Sequence, residues 1–117
     1  MPLINMYTSA PPPATGDARE LLGALSATLA RELGKPEAYV MTCLVPRAAM
    51  TFAGTEGPAC YAELKNIGEL SAEKAARLSA VLCDMLSRGL DVPRDRIYIE
   101  LASVEAHLWG WNGETFA

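Results

Sequence analysis

The chain is poor in the residues that build metal and redox centres. It carries one histidine, His107, and three cysteines, Cys43, Cys60 and Cys83. No two cysteines make a C-x-x-C pair, and an odd count argues against a disulfide framework. Zinc sites take three or four Cys, His or carboxylate ligands at characteristic spacing, so no metal is expected. Cys43 falls in an apolar strand and Cys83 in an apolar helix, where both are expected as small core residues. Basic residues are also few. Ten Lys and Arg stand against fourteen Asp and Glu, a net charge of −4. That balance argues against the basic stripe that nucleic acid or an anionic membrane surface demands. No apolar run reaches the roughly 18 residues of a membrane span. The start of the chain lacks the basic and apolar regions of a signal peptide. The expectation is a soluble, cytoplasmic protein that binds neither nucleic acid nor membrane, with signal-less secretion left open.

Hydrophobic residues make up 50% of the 117 positions, enough for a core at a one-domain length. A single domain over 1–117 is expected. Within it the chain repeats itself. Shifted by 57 positions, Ala18 meets Ala75, Leu21 meets Leu78, Leu25 meets Leu82 and Leu29 meets Leu86. Leu33 then meets Leu90, Pro36 meets Pro93, and Leu44 meets Leu101. Two structural units follow, at about 2–45 and 59–102. Each reads strand, helix, strand. Leu3 to Tyr7 is a strand, and Ala10-Pro11-Pro12-Pro13 forces a loop because proline lacks a donor. Asp17 is placed to cap a helix whose Leu21, Leu22, Leu25, Leu29 and Leu33 recur at helical spacing. Gly34 ends it, and Tyr39 to Val45 is the second strand. In the second unit Cys60 to Lys65 is a strand, and Ser71 caps a helix with Leu78, Val81, Leu82, Met85 and Leu86 on one face. Gly89 and Pro93 end that helix, and Arg96 to Ala102 is the last strand.

The fold class is therefore α+β, with the connectivity of α/β units. Tandem β-α-β units form a four-stranded mixed sheet with two helices on one face. Strand residues of both parities are apolar, which calls for burial on both sides, yet no third layer is available. Self-association in a closed ring, sheets inward, would supply it.

Pro2 carries the chemistry. After removal of Met1 its nitrogen would be a rigid secondary amine rather than an amide. An α-amino group titrates near pKa ~8, and burial lowers that value by disfavouring the cation. The result is a candidate general base for neutral pH. With Met1 attached, Pro2 is a tertiary amide without basicity.

At this point the residues resemble the tautomerase superfamily and, within it, the bacterial type of the macrophage migration inhibitory factor family. The carriers are Met1-Pro2 heading a strand, Leu33-Gly34-Lys35-Pro36, Asn66-Ile67-Gly68, Pro93 to Ile99, and Trp109-Gly110-Trp111-Asn112-Gly113-Glu114-Thr115-Phe116-Ala117. The resemblance implies a homotrimer with active sites between subunits, no cofactor, and keto–enol tautomerase activity on phenylpyruvate-type and dopachrome-type substrates. It implies Pro2 as catalytic base and Lys35 as the cation for the substrate carboxylate. It implies Ile67, beside Asn66, as a backbone contact, Tyr98 as a side chain donated by the neighbouring subunit, and Trp111 and Phe116 as an aromatic wall. Each also has a plainer role: Lys35 complements a helix C-terminus, Ile67 is a core residue, Tyr98 is a strand residue with a satisfied hydroxyl, and Trp109, Trp111 and Phe116 pack a C-terminal segment.

Three departures stand out. The vertebrate member has a C-x-x-C where this chain has Ala59-Cys60-Tyr61-Ala62, so two-thiol redox activity is not expected. Glu100 stands where that member has a pocket asparagine; it can accept from a substrate hydroxyl or repel an anion. Trp109 replaces a small aliphatic residue and would narrow the pocket or stack on a ring. Two other functions stay open: a cytokine-like protein of the same fold that binds a receptor, and a ferredoxin-like regulatory module that binds a small ligand.

Overall fold

The leucine spacing of the first unit forms helix α1 (Asp17–Leu33), between strands β1 (Leu3–Thr8) and β2 (Met41–Val45). The second unit gives β3 (Cys60–Ile67), α2 (Ala72–Leu90) and β4 (Ile97–Val104). A short hairpin, β5 (Gly110–Trp111) and β6 (Glu114–Thr115), closes the chain. This is a computed structural model that describes residues 1–13 and 17–117. The side chain of Asp17, expected as a cap, lies outside the described residues. The Ser71 cap forms, with its hydroxyl accepting from the Lys74 N–H at 3.1 Å.

The sheet order is β2-β1-β3-β4. Each unit pairs its own strands in parallel, β1 with β2 and β3 with β4, while β1 and β3 run antiparallel. The sheet is therefore mixed, with both helices on one face. Ile4, Met6, Ala62 and Leu64 point into that face and are fully buried against Leu25, Leu29, Leu78, Leu82 and Leu86. Among the described residues no helix is long and apolar enough to cross a membrane.

The repeat extends to the helix ends. Gly34 follows α1 with φ +62°, and the Lys35 N–H reaches back to the Ala30 carbonyl at 3.0 Å. Asp91, 57 positions later, follows α2 with φ 55°, and the Val92 N–H reaches the Ser87 carbonyl at 3.2 Å. Both are the left-handed turn that satisfies carbonyls left free at a helix C-terminus.

Three local expectations are corrected. Gly89 does not end α2, which continues to Leu90. Its missing side chain serves packing instead: a Cβ there would stand 2.7 Å from Leu21 Cδ1 and 3.2 Å from Cδ2. Gly89→Ala would gain about 1 kcal/mol in helix propensity and lose about 1–3 kcal/mol to overpacking. The net expectation is a loss of about 1 kcal/mol in urea unfolding, and a gain would show that Leu21 has room to turn away. The second strand begins at Met41 rather than Tyr39, because Glu37–Tyr39 forms a short 3-10 turn after Pro36. Cys43 is exposed, not core, because it shares the uncovered parity of β2 with Met41 and Val45. The buried thiol is Cys60, whose pKa burial pushes up to about 11.

The second face of the sheet is uncovered, as the helix count requires, but it is not uniformly apolar. Met41, Val45 and Tyr98 are exposed on it. Between them the register sets Asn5 beside Glu63 and Glu63 beside Glu100. The Tyr61 hydroxyl lies 3.0 Å from Glu63 Oε2 and 3.3 Å from Glu100 Oε1, so two carboxylates share one O–H. The Tyr61 pKa is pushed up to about 12, first by the bond to Glu63, then by burial and by Glu100.

Candidate active site

The site grows from the start of β1. That strand is central, so its first residue is gripped from both sides: Leu3 pairs with Met41 on β2 and with Lys65 on β3. Pro2, one step earlier, is buried, and its carbonyl accepts from the Met41 N–H at 3.0 Å. The parallel β1–β2 pair requires α1 to run back along the sheet. The end of α1 therefore returns to the end where β1 begins. The left-handed Gly34 turns the chain there and delivers Lys35. Antiparallel β3 finishes at the same end with Ile67. The Lys35 ammonium donates to the Ile67 carbonyl at 3.0 Å.

Three segments distant in sequence thus meet at one corner of the sheet. The free amine there belongs to Met1, and the Pro2 nitrogen is an amide while Met1 is attached. The Met1 amine pKa is lowered from its ordinary value, first by burial and then by the positive charge of Lys35. An aromatic wall joins this corner. Trp111 and Phe116 stack with centroids 6.0 Å apart, and both meet the Tyr39 ring edge-on, at 5.5 and 6.1 Å. The β5–β6 hairpin turns on Asn112 and Gly113, both at positive φ, and this brings the two rings together. Tyr39 links the wall to the corner along the chain: it follows Lys35 by four residues and precedes Met41, whose N–H bonds the Pro2 carbonyl, by two.

Tyr39 is the residue that sequence reasoning missed. Its residue type fits the strand expected over Tyr39 to Val45, where it would be one more β-former. Its signal was the proline three positions earlier, which sets up a turn rather than an extended run. Trp109 is half-buried, and its carbonyl accepts from the Phe116 N–H at 3.2 Å, which latches the end of the chain. Asn66 is buried on the helix-covered face, opposite in parity to Ile67, and its Oδ1 has no hydrogen-bond partner among the described residues.

Tyr98 and Glu100 are not brought to this corner. Register puts Tyr98 level with Tyr61 and Tyr7, at the other end of the sheet. From the start of β1 that is about 13 Å along the strands and about 10 Å across them. Tyr98 is 66% exposed on the uncovered face, and Glu100 is exposed two residues further on.

The whole chain, residues 1–117, matches the family described as Macrophage migration inhibitory factor (MIF). It is 35% identical over 117 residues to Macrophage migration inhibitory factor of Rattus norvegicus, with 100% of each chain covered. It is 34% identical over 116 residues to a homolog from Trichuris trichiura, covering 99% of this chain and 100% of that one. The crystal structure of the homologue from Prochlorococcus marinus superposes with a TM-score of 0.93 at 48% identity, covering 98% of this chain and 99% of that one. With its tandem β-α-β fold, its Pro2–Lys35–Ile67 corner and a match over its full length, the chain belongs to the macrophage migration inhibitory factor family.

Proposed function

We propose that this chain is a cofactor-independent keto–enol tautomerase whose base is the amine of Pro2 once Met1 is removed. The observation that carries this is the corner itself. Burial and the charge of Lys35 lower the pKa of the Met1 amine, and an amine on the buried Pro2 would meet the same two influences one residue further in. Phenylpyruvate-type and dopachrome-type substrates fit the arrangement. Neutral Pro2 takes a proton from the carbon next to the ketone. The electron pair moves to the ketone oxygen, and the Lys35 ammonium holds the carboxylate and offsets the developing charge. The oxygen then receives a proton from cationic Pro2 or from water, which gives the enol. The substrate ring lies against Tyr39, Trp111 and Phe116, with Trp109 beside them. Asn66 stands beside the Ile67 backbone contact, on the buried side of β3. Turnover of phenylpyruvate by the processed wild type, lost when an alanine is inserted between Met1 and Pro2, tests the proposal.

The uncovered sheet face supports a homotrimer, in which Tyr98 and Glu100 of one subunit line the pocket of the next. Sedimentation at micromolar concentration is expected to give the trimer mass, and a stable monomer would count against that architecture. A second function, as a ligand for a protein receptor, is supported by the name of the family, which describes an effect on cells. A chain with an alanine inserted between Met1 and Pro2 that keeps full receptor binding and loses turnover would show the two to be separable.

A further inference from the structure

Arg96, at the foot of β4, spends its whole donor set on uncharged acceptors of one loop. Nε donates to the Pro58 carbonyl at 2.7 Å, and Nη1 donates to the Phe52 carbonyl at 3.3 Å and Thr55 Oγ1 at 2.9 Å. Nη2 donates to the Thr55 carbonyl at 3.3 Å and the Gly57 carbonyl at 2.9 Å. A guanidinium has five N–H donors in a fixed fork, and here each has an acceptor. The loop is tight. Phe52 and Thr55 exchange backbone hydrogen bonds of 2.9 and 3.0 Å around Ala53 and Gly54, both at positive φ. The turn presents one large side chain, Phe52. Its ring lies 5.3 Å beneath the Arg96 guanidinium carbon and 5.0 Å from the ring of Tyr98, at 59°. Tyr98 is nonetheless two-thirds exposed. An exposed tyrosine normally samples several rotamers, and holding one in advance removes an ordering cost from whatever binds it.

We propose that Arg96 and Phe52 are positioning residues that hold the Tyr98 ring in the orientation a neighbouring subunit's substrate pocket uses. This rests on Tyr98 being a wall of that pocket. Arg96 fixes the loop, the loop fixes Phe52, and Phe52 props Tyr98 from the side away from the substrate. Neither Arg96 nor Phe52 touches substrate or shifts the amine.

Steady-state kinetics on the full-length protein separates this from a merely structural role. Phe52→Leu and Arg96→Lys should raise KM for phenylpyruvate about five- to tenfold, with kcat and the pH profile unchanged. Arg96→Lys keeps the charge and loses the fork. Phe52→Tyr keeps the ring and should retain the wild-type KM. Tyr98→Ala should raise KM as well, and adding Phe52→Leu to it should change nothing further, because Phe52 acts only through that ring. Additive effects, or unchanged KM in both folded single variants, would overturn the proposal. The ring-proton NMR shifts of Tyr98 need no turnover, and they should move in Arg96→Lys. Unchanged shifts there count against the strut, even if the wild type turns nothing over, a result that counts against Pro2 as base instead.

Discussion

Inserting an alanine between Met1 and Pro2 should lower phenylpyruvate turnover by about a thousandfold, within the 10²–10⁴ that a positioned general base contributes. The oligomer should be unaffected. The variant still has a free amine at the corner, and burial and Lys35 still disfavour its cation. What changes is position: the nitrogen is displaced by one residue, ~3.8 Å between consecutive Cα atoms. The experiment thus separates basicity from placement. In the processed wild type, activity should rise with pH through an apparent pKa below ~8, the ordinary α-amino value. The sign follows because only the neutral amine accepts a proton. Pro2→Gly keeps an amine in place and should be weakened rather than dead. A chain shown by intact-mass measurement to retain Met1, yet turning over at the wild-type rate, would remove Pro2 from the mechanism.

Lys35→Ala should lower kcat/KM for phenylpyruvate about 30- to 150-fold, the equivalent of about 2–3 kcal/mol for a charge-assisted contact. Two effects run together and can be told apart. Loss of the ammonium weakens any carboxylate substrate, and a neutral ester should suffer less. Loss of a neighbouring positive charge also raises the pKa of the amine, which moves the rising limb of the pH profile to higher pH for both substrates. An ester and an acid that fall equally, with no shift of the profile, would reduce Lys35 to a support for the Ile67 carbonyl.

The path of the chain was legible because periodicity and punctuation agreed. Leucines at helical spacing, Ser71 as a cap and Gly34 as a stop all formed as the residue types demand. Errors arose where one residue type serves two purposes. Gly89 looked like a stop, but it is the bare patch over which Leu21 lies, a contact between helices that no local pattern encodes. Cys43 sits among apolar strand residues, and only the side chosen by the helices decides that it faces outward. Tyr39 has the composition of a strand and the geometry of a turn. The corner at Pro2 was legible through its family pattern, since nothing local links residue 2 to residue 35 or 67. The distance of Tyr98 from that corner needed the register of β4 against β3. The prop beneath it needed the contacts of Arg96, a residue that sequence alone presents as one more surface cation.

The repeat gives the fold two corners of the same kind. Counting 57 positions on, Ala59 stands where Pro2 stands, and Val92 where Lys35 stands; both are buried and neither can ionise. Arg96 occupies the place of Tyr39 and holds the adjoining loop down. The second corner is therefore a sealed copy of the first, and the difference between them is topological as much as chemical. Removal of Met1 would leave a backbone amine at the first, whereas at the second the chain passes through as a peptide bond. A duplicated scaffold can keep both copies for stability while only one is equipped for the proposed chemistry, because a backbone nitrogen is basic only when no peptide bond holds it.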